Sequence, residues 1–210
     1  VSVSLNKLGD FLSTRGGPGD AEQALEYYTR CHEVLERLLA ANPDSAQAAR
    51  DVSISLDRLG DFLSIRGGPG DAEQALEYYM RSLEVRERLL VNSPDSALAA
   101  RDVSVSLTKL AAVATDHEKA LQYALRDLEI ALNLKERNPQ SLYYQRDAAV
   151  SFGRTARYAN AAGNQELAGQ CLAGCFSILD PLVKAGYELD PAMRQLHAQL
   201  AAMFQDGGPE

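Results

Sequence analysis

The stretch Leu56-Asp-Arg-Leu-Gly-Asp-Phe-Leu, continued by Arg66-Gly-Gly-Pro-Gly-Asp-Ala-Glu-Gln-Ala-Leu-Glu-Tyr-Tyr, repeats almost letter for letter the stretch from Leu5 to Tyr28. A degenerate third copy starts at Leu107, and a more distant fourth at Phe152. Repetition at this period constrains the fold more than any other feature, because each unit must bury its apolar face on the next one. Val1 aligns with Val52, an offset of 51 residues, whereas the third copy, Asp102 to Arg146, has 45. The shortening falls where Arg66-Gly-Gly-Pro-Gly would precede Asp71, so that Thr115 runs straight into Asp116. A deletion confined to a turn, with both flanks in register, marks the turn as an exposed loop.

Each copy reads as two helices. Leu5, Leu8 and Leu12 recur at three-and-four spacing, as do Leu56, Leu59 and Leu63. Val3, Phe11, Ile54 and Phe62 lie off that line. A helix apolar on two sides is expected between two neighbours rather than on one core. The second helix carries Ala24, Tyr28, Cys31, Leu35 and Leu38 as one stripe. Gly16-Gly-Pro-Gly ends the first helix. Asp20 with Gln23, and Asp71 with Gln74, have the spacing of a capping box for the second. Pro43, Pro94 and Pro139 separate one copy from the next. In the fourth copy Gly163-Asn164 is the turn and Asp180-Pro181 the expected end of the second helix. Asp190-Pro191 opens a last one. The expectation is nine helices and no strand, in one array over 1–205. Its repeats span 1–50, 51–101, 102–146 and 147–186, followed by a capping helix at 190–205 and a tail at 206–210.

Composition limits the function classes. A net charge of -8 argues against a general nucleic-acid binder. No uninterrupted apolar run reaches the roughly 20 residues that cross a bilayer, and no basic-then-apolar leader opens the sequence. Three cysteines make an odd count without framework spacing, which favours a reducing compartment; a cytoplasmic location is the expectation. The start at Val1, in register with a repeat, reads as a fragment of a longer protein.

A small residue after leucine in the first helix, then alanine, an aromatic and another small residue down the second, resembles the tetratricopeptide repeat (TPR). The motif residues are Leu8-Gly9, Leu12, Ala24, Tyr28 and Cys31, then Leu59-Gly60, Leu63, Ala75, Tyr79 and Ser82. Leu110-Ala111 and Ala120 follow in the third copy, and Ala156, Ala168, Leu172 and Cys175 in the fourth. The resemblance covers nearly the whole chain. The period of 51, against about 34 in the family, makes this a long-period variant. The fold implied is an all-α superhelix (solenoid) of about four helix-turn-helix repeats plus a C-terminal capping helix.

The resemblance also implies that the first helices line a concave face where a partner protein or peptide binds. Carried over, the polar positions of that face are Asn6, Asp10, Ser13, Asp57, Asp61, Ser64, Thr108 and Thr115. The family's carboxylate clamp uses Lys, Asn and Arg there. Asp10, Asp57 and Asp61 suit a basic or polar segment instead. A second reading of the same residues is structural, because Lys7, Arg58 and Lys109 stand one helical turn before Asp10, Asp61 and Ala112, within reach of ion pairs. Arg50-Asp51, Arg101-Asp102 and Arg146-Asp147 read as pairs that fix the repeat junctions.

Other candidates read as packing. The glycine loops lack the Lys-Ser/Thr of a phosphate loop, and His32 gives way to Leu83 in the next copy. Cys171 and Cys175, four apart, have no second ligand pair. No catalytic residue, cofactor site or metal site is expected. The sequence therefore points to a non-enzymatic protein-interaction scaffold that binds neither nucleic acid nor membrane. Two alternatives stay open: a homo-oligomeric self-assembly module, and a regulatory array attached to an enzyme domain outside this stretch.

Overall fold

The computed structural model describes residues 1–205, so the expected tail at 206–210 lies outside the described residues. Among the described residues there are nine α-helices and no strand. They are α1 (Ser2–Arg15), α2 (Asp20–Ala41), α3 (Ala46–Arg66), α4 (Asp71–Asn92), α5 (Ala97–Val113), α6 (His117–Arg137), α7 (Leu142–Ala161), α8 (Gln165–Lys184) and α9 (Pro191–Gln205). The chain divides into two compact units, Val1–Ala114 and Thr115–Glu210. The third sequence copy therefore supplies α5 to the first unit and α6 to the second.

In the first unit each helix packs on the next in the chain, from α1 on α2 to α4 on α5. Of the leucines expected to face inward, Leu5, Leu12, Leu56, Leu59, Leu63, Leu107 and Leu110 are buried, whereas Leu8 and Leu38 are exposed, at 44% and 50%. Close approach within each pair rests on glycine. A Cβ added at Gly9 would stand 2.7 Å from Cε1 of Tyr28, and one at Gly60 would stand 2.6 Å from the same atom of Tyr79. The tyrosine ring thus occupies the volume that any other residue would claim. Small residues three positions further on, Cys31 and Ser82, repeat one contact. Their side chains donate to the carbonyls of Ser2 (3.3 Å) and Ser53 (3.1 Å).

The two glycine loops are built alike, and not as the sequence suggests. Gly67 and Gly70 take left-handed backbone angles, φ 63° and 80°, which favour glycine. The side chain of Asp71 does not cap its own helix. It turns back into the loop and accepts hydrogen bonds from the Gly68 amide (2.7 Å) and from Nε (2.8 Å) and Nη2 (2.5 Å) of Arg66. Asp20 does the same with Gly17 and Arg15. The expected capping box is thus replaced by a clamp, because the arginine ending the previous helix is a stronger partner than free amides. Where the loop is missing, Asp116 is a true cap. It accepts from the amides of Glu118 (2.9 Å) and Lys119 (3.3 Å).

In the second unit α6 packs on α7, α7 on α8 and α8 on α9. Here the aromatic and the glycine exchange helices. Phe152 of α7 lies over Gly174 of α8, where an added Cβ would sit 2.5 Å from the ring. Ala148, Cys175, Leu179, Leu182, Met193 and Leu200 form the core. The expected stop at Asp180-Pro181 does not occur; Pro181 lies inside α8, which runs to Lys184. Leu182 is buried in the core, and that burial carries the helix past the bond proline cannot make. Asp190 caps α9 by accepting from the Met193 amide (3.0 Å), as the sequence suggests. By length and composition alone, α8 is apolar enough to cross a membrane, although polar residues interrupt its apolar run. Its buried stripe, Ala168, Cys171, Cys175, Ile178, Leu179 and Leu182, belongs to the core of this unit, where α8 packs on α7 and α9.

Candidate partner-binding face

All of the sequence-derived face but Thr115 falls on α1, α3 and α5, and two of its side chains, Asp10 and Asp61, are held in a ladder. Asp10 of α1 accepts from the hydroxyl of Tyr28 (2.8 Å) and from Nη1 of Arg58 on α3 (2.9 and 3.2 Å). One repeat later, Asp61 of α3 accepts from the hydroxyl of Tyr79 (2.7 Å) and from Nζ of Lys109 on α5. Each rung joins two successive first helices and is anchored by the tyrosine that fills the glycine gap. Lys109 also stands 5.4 Å from the Tyr79 ring centroid, at cation–π distance. The carboxylates stay accessible, with side-chain exposures of 50% for Asp10 and 45% for Asp61. Burial and the adjoining carboxylates push both phenols above the normal tyrosine range.

Asp57 has a different place. It is buried and paired with Nη2 of the buried Arg86 at 2.7 Å. Arg86 lies in the slot held by Leu35 one copy earlier, and its guanidinium is almost fully used. It donates to Ser53 Oγ (3.1 Å), Ser106 Oγ (2.8 Å) and the carbonyl of Asp102 (3.1 Å), tying α4 to α3 and α5. Burial raises the Asp57 carboxyl above the usual range, with Arg86 opposing. Its Oδ1 has no hydrogen-bond partner among the described residues. Sequence reasoning singled out Asp57 but missed Arg86, whose signal is an arginine interrupting a leucine stripe.

Of the remaining candidates, Ser13 and Ser64 are exposed beside the rungs, and Ser64 Oγ is 3.5 Å from the Tyr79 hydroxyl. Asn6, in the Asp57 slot of the first copy, is half-buried, as is Thr108. Thr115 is exposed and opens the second unit, so it does not share a unit with the others. In two of the repeated Arg-Asp dipeptides the arginine pairs with a distant aspartate rather than with its neighbour. Arg50 on α3 bridges Asp102 on α5 (2.5 and 3.1 Å), and Arg146 reaches Asp190 (2.6 Å). In the second unit, buried Asp127 of α6 accepts from Ser151 Oγ (2.8 Å) and Arg154 Nη1 (2.7 Å) of α7.

The groups that could suggest chemistry are engaged in packing. His32 is buried with Nδ1 2.8 Å from Ser55 Oγ and Nε2 3.1 Å from Glu36. Burial lowers its pKa, with Glu36 opposing. The three cysteines are buried thiols, and burial pushes Cys175 up to about 11, far from a reactive thiolate.

No family model matches the chain. A curated relative, Protein NCA1 of Arabidopsis thaliana, is 33% identical over 113 residues, which are 54% of this chain and 26% of that protein. The crystal structure of BtubC (BKLC) from P. vanneervenii superposes with a TM-score of 0.57 at 22% identity, covering 82% of this chain and 61% of that one. TTC0263, a thermophilic TPR protein in Thermus thermophilus, covers 97% of this chain and 83% of its own at 17% identity and a TM-score of 0.41. This chain thus spans about a quarter of its curated relative and under two thirds of BtubC. With nine helices among the described residues, paired by glycine against tyrosine in recurring copies, the chain has the tetratricopeptide-like helical-repeat fold.

Proposed function

We propose that this chain is a non-enzymatic scaffold that binds a protein or peptide segment along the first-helix face of α1, α3 and α5. The observation that carries this reading is the ladder of half-exposed carboxylates Asp10 and Asp61, each fixed in one rotamer by a tyrosine hydroxyl and a cation from the next repeat. A preformed row of this kind costs little ordering entropy when a partner lays down on it. Each rung still offers unused acceptor capacity to a lysine, arginine or amide of that partner. The segment that fits is basic or polar and extended across two repeats. Asp57 belongs to the support of this face rather than to its contact surface, because it is buried against Arg86.

The test is binding of a panel of lysine- and arginine-rich peptides, measured by fluorescence anisotropy at low and physiological salt. Asp10→Asn combined with Asp61→Asn is expected to weaken binding about tenfold or more, at about 1.5–3 kcal/mol for a charged hydrogen bond, while helicity is kept. Equal binding by the variant and the natural chain removes the face from consideration. The cytoplasmic location and the part this segment plays in a longer protein belong to the same proposal. They rest on the odd cysteine count and on the partial coverage of NCA1 and BtubC.

A further inference from the structure

The fourth copy reverses the charge of the first-helix slots that carry the carboxylate row in the first unit. With the third and fourth copies in register at Asp102 and Asp147, Arg157 of α7 takes the slot of Asp10 and Asp61, and Arg154 that of Arg58 and Lys109. Gly153 takes the slot of Asn6, Asp57 and Thr108. Arg154 is engaged by the buried Asp127 at 2.7 Å. Arg157 pairs with no carboxylate among the described residues. Its guanidinium lies 4.9 Å from the Tyr158 ring centroid and donates one N–H to the hydroxyl of that ring, 3.3 Å away.

Gly153 has none of the reasons for glycine seen elsewhere in the chain. It sits inside α7, outside the left-handed region, where alanine is the better helix former. A Cβ built on it would stand 3.7 Å from Cδ2 of Leu196, an ordinary contact, unlike the tight approaches at Gly9, Gly60 and Gly174. Gly153 lines a cavity of about 350 Å³ between α7, α8 and α9. The floor of this cavity is apolar: Ala149, Leu172, Leu179, Met193 and Leu196. Arg154 and Arg157 are its only polar lining side chains among the described residues.

We infer that this cavity binds a medium-chain aliphatic carboxylate, with the chain on the apolar floor and the carboxylate on Arg157. The volume falls in the range of small-molecule sites. A peptide does not suit it, because its backbone amides would face apolar walls without hydrogen-bond partners. An aliphatic chain has no such groups to satisfy. The N–H groups that Arg157 does not use on Tyr158 are the planar donors a carboxylate accepts. The inference is independent of the proposed peptide-binding row, which lies in the other unit and carries the opposite charge.

The test is calorimetric titration of the natural chain with octanoate and, as the neutral counterpart, octanol. Octanoate is expected to bind at a single saturable site, and octanol about tenfold more weakly, because the charged hydrogen bonds are lost. Arg157→Gln is expected to bring octanoate down to the affinity of octanol. Gly153→Met keeps a good helix former and places a side chain in the cavity, so it is expected to abolish binding of both while the melting temperature holds or rises. Arg157 is exposed, so its variant decides the matter should Gly153→Met fail to fold. Absence of saturable octanoate binding overturns the inference, as does undiminished binding by Arg157→Gln. So does a peptide with a free C-terminus that displaces octanoate and binds more tightly, since the occupant is then a protein segment.

Discussion

Repeats one and two share nearly the same letters and live in different surroundings. Phe11 and Phe62 have the same neighbours in sequence, yet one is 59% exposed and the other 8%. Gly9 and Gly60, by contrast, meet their tyrosines at 2.7 and 2.6 Å, indistinguishable in the two copies. Contacts inside a helix pair are therefore written in the repeat, whereas contacts between pairs depend on whether a neighbour exists. The copies also differ by one compensated exchange. Asn6 and Leu35 in the first correspond to Asp57 and Arg86 in the second, so that a polar–apolar pair becomes a buried ion pair.

That exchange offers the largest effect. Arg86→Leu or Asp57→Asn alone is expected to cost about 3–5 kcal/mol, because each leaves a buried charge without its partner. Asp57→Asn with Arg86→Leu restores the chemistry of the first copy and is expected to recover most of the loss. Urea denaturation of the two singles and the double closes the cycle, and additive losses would show that the two residues do not act as a pair.

Truncating the phenylalanines separates the copies next. Phe62→Ala is expected to cost about 3–5 kcal/mol as a large-to-small core change, and Phe11→Ala less than about 0.5 kcal/mol as an exposed one. Comparable thermal shifts for both would mean that α1 is covered in solution. Gly9→Ala and Gly60→Ala should erase the contrast. Each forces a tyrosine ring to move and is expected to cost about 1–3 kcal/mol by overpacking, partly offset by the better helix propensity of alanine.

Two smaller effects appear with pH. The clamps hold Asp20 and Asp71 below the usual carboxylate range, Asp20 at about 2, chiefly through Arg15 and Arg66. Their contribution is complete above the unfolded-state carboxylate pKa of about 4 and is lost as pH falls through the lowered folded-state values, for Asp20 about 2. Carboxyl titration by NMR should show both groups titrating below the ordinary aspartate range, and ordinary titration in Arg15→Gln and Arg66→Gln. His32 works in the same direction at higher pH. Burial disfavours its protonated form, so stability declines as pH falls below the ordinary histidine value of about 6.5. His32→Leu, which copies Leu83 of the second repeat, is expected to flatten the melting temperature across that range.

Much of the candidate face could be located from sequence because the repeat fixes which helix a residue sits on. Asp10 and Asp61 can be placed this way, and so can the reach of Arg58 and Lys109, which pair between successive first helices. The role of Asp57 was not legible. Helical spacing places it on the polar side of α3, and only the position of Arg86, 29 residues away on another helix, makes that side an interior. The clamp at Asp71 was hidden for a similar reason. Its spacing to Gln74 is that of a capping box, and the competing partner, Arg66, enters only once two left-handed glycines reverse the chain.

The sequence by itself determined the all-helical class, the pairing of helices and the seat of tyrosine on glycine. These depend on periodicity and on residue size at neighbouring positions, which are local quantities. Tertiary structure alone decided which copies of one face are buried, which aspartates are surface rungs and which is a buried counter-ion, and that α5 and α6 of the third copy belong to different compact units. Burial and ion pairing depend on what lies across a gap, and a residue's own stretch of chain carries no record of that neighbour.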